Sequence, residues 1–364
     1  MSVQQHISRY YHHLHRTLTR TWSRTINYVI DTTNWSFFWD AHYITTSLKK
    51  SLGLCTRVIY DPWRLKGQII HFGDRYLYLN GPFQSLHPSN YVFLTWFHGE
   101  VMDPNPQMQR LFTKLPQVTT YIQKIVVPCQ LSRRVLEDLG IPEAKIVTIP
   151  LGVDLERFVP ATEESRSQLR ARLGIPKESI CIGYFQKDGV GWGKGDEPKL
   201  VKGPDLFLQV VENLSTHFGK VMIVLTGPAR GYVKKGLEKL RVPYLHHYLS
   251  RYLDIVSYYQ VLDLYLITSR VEGGPKALLE SWATGIPVVA TRVGMAADLV
   301  RHGENGMLAE LEDVEALTRY ASALIEDAAL RERYRRRALE DVTHYGWDAI
   351  AQQYYHALYH QCLT

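Results

Sequence analysis

The sequence is poor in cysteine and has no long apolar run. Its four cysteines, Cys55, Cys129, Cys181 and Cys362, lie far apart with no C-x-x-C pair, which offers no disulfide framework. Apolar runs such as 221–225 and 286–290 fall well short of the ~20 residues that span a bilayer, so no membrane-crossing segment is expected. No secretory leader of basic, apolar and small-residue segments is recognisable, and the expected setting is a reducing cytoplasm. Fixed-period repeats and low-complexity tracts are also lacking, which argues against solenoids and disordered linkers.

Charge is unevenly placed. Of a net charge of +6, four units come from Arg9, Arg16, Arg20 and Arg24, in a stretch of 25 residues without an acid. The remainder is nearly neutral, so no nucleic-acid partner is expected. Residues 1–25 read as a basic amphipathic helix, because Val3, Ile7, Tyr10, Tyr11, Leu14, Leu18 and Trp22 share helical spacing while the arginines fall largely elsewhere. Two readings stay open: peripheral attachment to an anionic inner leaflet, or packing on the protein's own surface or a partly disordered extension. His6, His12, His13 and His15 have no carboxylate or cysteine beside them, and no metal site is expected.

What is present is a globular composition, 45% hydrophobic and 21% charged, at a length that suits two domains. Short apolar runs at 28–30, 68–71, 91–96, 124–127 and 145–149 alternate with helical stretches. A second series, at 180–185, 221–226, 262–268 and 286–291, follows a polar helical linker at 162–173. The fold class expected is α/β, with two Rossmann-like doubly wound parallel sheets facing a cleft. The boundaries expected are 26–158 for the first domain and 159–345 for the second, with a turn-rich hinge near 150–154.

The densest chemical signal is SRVEGGPKALLE at 269–280, followed by SWATGIPVVA at 281–290. Pro275 suits a helix's first turn, and Gly285 with Pro287 suits its end, so a short helix is expected over 275–284. Gly273 and Gly274 allow close backbone approach to a ligand, and the helix start favours an anion such as a diphosphate. Glu272 precedes the helix and Glu280 lies within it, separated by up to ~12 Å of helix rise. Two carboxylates so placed can grip hydroxyls at both ends of an extended ligand, as a nucleotide sugar would require.

This E-x7-E pattern before a G-x-P-V-V-A strand resembles glycosyltransferase family 4, the large retaining group with the GT-B fold. The likeness extends through VGMAADLV at 293–300 and GENG at 303–306. It implies a hexosyltransferase using a nucleoside-diphosphate sugar, of UDP or GDP, as co-substrate, with no metal cofactor and a glycan, lipid-linked or small-molecule acceptor. It also implies that Glu272 contacts the donor sugar, that Glu280 holds the ribose, and that Lys187 with Lys202-Gly203 neutralises the diphosphate. Gly273, Gly274, Pro275 and Lys276 would line the donor site; they stand where E-G-F-G members carry glycine, aromatic and aliphatic residues. Gly227 and Arg230 resemble nucleotide-facing loop residues, as do His246 and His247. In the first domain, His98 resembles the family's strand-end histidine facing the donor sugar, and the alternative is a structural histidine. The last helix, about 346–364, is expected to cross back to the first domain.

The loop 188–199 carries glycines at 189, 191, 193 and 195 around Trp192. It is expected either to fold over the phosphates or acceptor with Trp192 as a stacking platform, or to have no fixed form. Asp31, Asp40 and His42 mark the expected acceptor region, while His71, Asp103 and Arg133 are cleft or core candidates. The arginines at 331, 333 and 335–337 read as a solvated helix face or a lipid-phosphate patch. Two other functions are weighed: another GT-B enzyme such as a sugar-nucleotide epimerase, and a non-catalytic membrane-surface scaffold.

Overall fold

The computed structural model describes residues 24–31, 36–82, 85–99 and 106–363. The amphipathic segment 3–22, most of the acceptor-side loop after Asp31, and Asp103 lie outside the described residues.

Two six-stranded, wholly parallel sheets form the frame. The first comprises β1 (Ile26–Val29), β2 (Thr56–Ile59), β3 (Ile69–Phe72), β4 (Tyr91–Thr95), β5 (Lys124–Val127) and β6 (Ile146–Thr148), in the order β2-β1-β3-β4-β5-β6. The second comprises β7 (Ile180–Gly183), β8 (Val221–Thr226), β9 (Tyr244–His247), β10 (Leu264–Ile267), β11 (Val288–Thr291) and β12 (Met307–Ala309), in the order β12-β11-β10-β7-β8-β9. The central strands are apolar on both faces because crossover helices cover both, and all six residues of β8 are buried.

This order fixes where a ligand goes. In the second sheet the chain runs outward from β7 to β9, then returns to place β10 against the other side of β7. The crevice beyond the carboxyl ends of β7 and β10 is therefore a topological switch point, where open parallel sheets take their ligands.

The last helical stretch packs on the first sheet, not the second. Trp347, Ile350, Tyr354 and Tyr359 join Ile26, Tyr28, Ile69 and Phe93 in one core. The helix Trp347–Tyr354 widens over Tyr355–Tyr359, and there the Tyr359 hydroxyl lies 2.6 Å from Nδ1 of His71. Nε2 of His71 lies 2.8 Å from the Thr95 hydroxyl. Fully buried, this imidazole is pushed down to about 3, so His71 is a neutral core residue. Among the described residues, no helix is long and apolar enough to cross a membrane.

Candidate functional site

The loop after β10 starts at the switch point. Ser269 is fully buried and its hydroxyl lies within hydrogen-bond distance of two acceptors, Oε1 of Glu272 (3.1 Å) and Oε1 of Gln186 (3.0 Å), which follows β7, and can donate to either. Glu272 Oε1 also meets the Lys202 ammonium at 2.6 Å, with only 7% and 15% of the two side chains exposed. Lys202 is placed by Gly203, whose left-handed φ of +61° turns the chain into the 15-residue helix Pro204–Phe218. A Cβ at 203 would come within 1.8 Å of the Thr268 carbonyl oxygen, so glycine is required there for space as well as conformation. An acid and a base separated by 70 positions thus converge over the β7/β10 crevice, beside a helix start able to bind an anion.

From there the loop reaches the first domain. A Cβ at Gly273 would stand 1.6 Å from the Phe97 carbonyl oxygen, so the two backbones touch. Gly274 packs less tightly, on the side chains of Leu151 and Met295 (2.7 and 3.0 Å from an added Cβ), and the Met295 amide donates to the Gly273 carbonyl oxygen (2.8 Å). Beside Phe97, His98 is partly buried, and burial with the positive fields of Arg75, Lys202 and Lys199 pushes its imidazole well below the ordinary value. An imidazole so shifted favours its neutral form, which offers one N–H to a hydroxyl. Arg75, whose charge acts on His98, is buried against the Trp96 ring (4.9 Å), and nothing in its sequence context marks it.

The helix that follows spans Lys276–Ala283, one residue shorter at each end than expected, with Pro275 at its cap. Glu280 is 5% exposed, and both its oxygens are taken. Tyr252 donates to Oε1, and Tyr259 donates to Oε2 at 2.7 Å. Burial raises the carboxyl's pKa, while the two phenols and the nearby Lys276 ammonium oppose the rise. Lys276 pairs with Asp40 of the helix Ser36–Leu52, crossing the cleft, and sits about 6 Å from the Tyr252 and Trp347 rings. Asp40 is a buried carboxylate whose pKa burial raises despite that cation.

Arg230 is turned away from this crevice. It is 1% exposed, pairs with the fully buried Asp188 at 3.0 Å, and donates to the Tyr184 carbonyl oxygen (2.6 Å). Burial pushes Asp188 up to about 6 against the pull of that guanidinium. The pair lies at the start of the glycine-rich loop, whose far end is tied to the helix that follows Arg230: Gly231 and Tyr232 amides donate to Lys194 and Gly195 carbonyls, each at 2.8 Å. At its exposed tip, Trp192 carries the Lys187 ammonium 4.0 Å from its ring centroid. Gly227, with a positive φ of +82°, has open space where a Cβ would project, and its carbonyl oxygen lies 2.8 Å from Nε2 of His246.

Other candidates lie in structural roles. Arg133 pairs with Glu137 and Glu143. Arg331 caps carbonyls of Leu324 and Ile325, while Arg335 and Arg337, two of the five arginines of the cluster, pair with Glu332 and Glu340.

Comparison with known proteins agrees with this geometry. Residues 198–341 match the family model for glycosyl transferases group 1. The D-inositol 3-phosphate glycosyltransferase of Corynebacterium urealyticum is 28% identical over 222 residues, 58% of this chain and 50% of that protein. The lipopolysaccharide core biosynthesis mannosyltransferase LpsB of Rhizobium meliloti is 27% identical over 205 residues, 54% of each. The chain spans about half the length of the curated relatives it matches. Among solved structures, HepE of Anabaena in complex with UDP-glucose superposes with a TM-score of 0.74 at 17% identity, over 92% of this chain and 99% of that one. Sucrose-phosphate synthase of Thermosynechococcus elongatus superposes at 0.72 and 16% identity, over 93% and 98%. The two-sheet GT-B arrangement is thus the fold of this chain, as the resemblance implied.

Proposed function

With residues 198–341 belonging to the glycosyl transferases group 1, we propose that this chain is a retaining, metal-independent glycosyltransferase that moves a hexosyl group from a nucleoside-diphosphate sugar to an acceptor hydroxyl. The observation that carries this reading is the Lys202–Glu272 pair at the switch point, with Glu280 one short helix farther on.

Three anchors divide the donor. Glu280 takes the ribose hydroxyls. Lys202, Lys187 and the first-turn amides of Pro204–Phe218 take the diphosphate. Glu272 and the neutral His98 take hydroxyls of the hexose. As the bond from C1 to the phosphate oxygen breaks, its electron pair leaves with the diphosphate, and the fixed ammonium groups stabilise that charge. The acceptor oxygen bonds to C1 from the same face, and its proton passes to the departing phosphate oxygen. Positioning between two closed domains supplies much of the rest of the acceleration. Uridine diphosphate sugars are the first donors to test, because HepE was solved with UDP-glucose; guanosine diphosphate sugars come next. The acceptor class is a sugar or cyclitol hydroxyl, free or lipid-linked, and the basic segment at 3–22 adds an anionic membrane surface as a proposed partner.

The test is release of nucleoside diphosphate from a panel of sugar donors, with and without polyol acceptors, in EDTA. The expected result is acceptor-dependent release that EDTA leaves unchanged, and a product whose anomeric proton keeps the donor's configuration in NMR. An inverted product or loss of activity in EDTA would overturn the mechanism. Nucleotide release without acceptor, accompanied by a rearranged sugar, would favour an epimerase.

A further inference from the structure

We propose that Tyr252 is a displaceable plug on the ribose-binding carboxylate, standing where a donor hydroxyl must bind and tying that event to the acceptor-side helix. The proposal rests on the reading of Glu280 as the ribose anchor.

The two phenols on Glu280 are not equivalent. Tyr259 is fully buried, wedged against Phe185 (4.7 Å between ring centroids) and Tyr265 (5.6 Å), so its hydroxyl is a fixed part of the core. Tyr252 is only partly buried and stands at the start of the short segment Tyr252–Ile255, between β9 and the helix Val256–Tyr259. A ribose diol gripping a carboxylate in bidentate fashion needs a hydroxyl on each oxygen. Glu280 is itself only 5% exposed, and of its two partners Tyr252 alone is partly exposed, so a diol arriving from solvent meets the Tyr252 phenol first and must move it aside to reach the carboxylate. Its phenol satisfies a buried carboxylate that would otherwise be costly without the nucleotide.

The ring of Tyr252 also touches the other domain. Its centroid is 5.2 Å from that of Trp39, which neighbours Asp40 on Ser36–Leu52, and Asp40 holds Lys276. Displacing Tyr252 therefore withdraws a contact from Trp39, at the edge of the acceptor side, each time a nucleotide arrives. Donor binding would then precede acceptor binding.

Calorimetric titration of the full chain with UDP, GDP and ADP, comparing wild type with Tyr252→Phe, tests the plug. The variant keeps the ring but loses the hydrogen bond that holds it on Glu280, so the plug moves aside more easily: its Kd for whichever nucleotide the wild type binds should tighten by about 3–10-fold, while its ligand-free melting temperature falls for want of the same hydrogen bond. A merely structural tyrosine would weaken both. In a Trp192→Phe background, which removes the indole beside Lys187, nucleotide should also change tryptophan fluorescence, and most of that change should be lost when Trp39→Phe is added. Unchanged or weaker binding by Tyr252→Phe, or a fluorescence change of undiminished size after Trp39→Phe is added, overturns the proposal while leaving the glycosyltransferase reading intact. A wild type that binds no nucleotide removes both.

Discussion

Replacing Lys202 by Met should lower kcat/KM for the sugar donor by about 10²–10³-fold, the usual cost of removing one preorganised group from a developing charge. The ammonium lies 2.6 Å from Glu272 Oε1 in a crevice nearly closed to water, so the substitution also strands a carboxylate. Breaking a buried pair from one side commonly costs about 3–5 kcal/mol, and the partial exposure of Lys202 puts the expected loss toward the lower end. The double variant Lys202→Met with Glu272→Gln separates the two effects. It leaves no uncompensated charge and should recover most of the lost melting temperature, yet its turnover should stay at the level of the worse single variant. Initial rates and melting curves for the four proteins decide the matter. Activity that recovers along with stability would make the pair a structural element only.

The second large effect concerns the meeting of the domains. Gly273→Ala puts a methyl 1.6 Å from the Phe97 carbonyl oxygen and 3.0 Å from Pro128, with backbone on both sides of the worst contact. The loops must part by roughly 1 Å or more, and a misplacement of that size in an active site can cost about 10²-fold. The expected result is a kcat reduced by about that factor, since Glu272 and His98 would no longer close on one hexose. Gly193→Ala, where nothing lies within 4 Å and φ is not positive, is the control and should leave kcat unchanged. Equal kinetics for both variants would mean that the contact between Phe97 and Gly273 plays no part in turnover.

Legibility in the sequence followed burial and chain distance. Lys124–Val127 and Val221–Thr226 match the expected strands end to end, because strands covered on both faces read as unbroken apolar runs. The edge strand Thr56–Ile59 escaped notice: it is half exposed and carries Arg57, so its pattern is diluted. At three residues, Met307–Ala309 is too short to show a period. Within the candidate site, Glu272 and Glu280 were singled out because glycines, helix ends and spacing mark them locally, whereas Lys202 and Gly203 came from the family resemblance alone; the structure brings Lys202 and Glu272 together. Tyr252 and Tyr259 were not readable, for a phenol 28 or 21 positions from its acceptor leaves no local trace. Nor was the pairing of Asp40 with Lys276, 236 positions apart. The ion pair of Arg230 with Asp188, 42 positions away, was illegible for the same reason: a basic residue after a strand end suits a phosphate contact, and only packing reveals its buried partner.

Binding of a nucleotide sugar between Lys202 and Glu280 is tested by a thermal-shift panel of UDP-, GDP- and ADP-sugars on wild type and Glu280→Ala. A ligand at 100 times its Kd stabilises the native state by about 2.7 kcal/mol, enough to read as a melting shift. The account predicts a shift with one nucleotide class that Glu280→Ala abolishes. No shift with any donor at saturation, or the same shift in the variant, would contradict it.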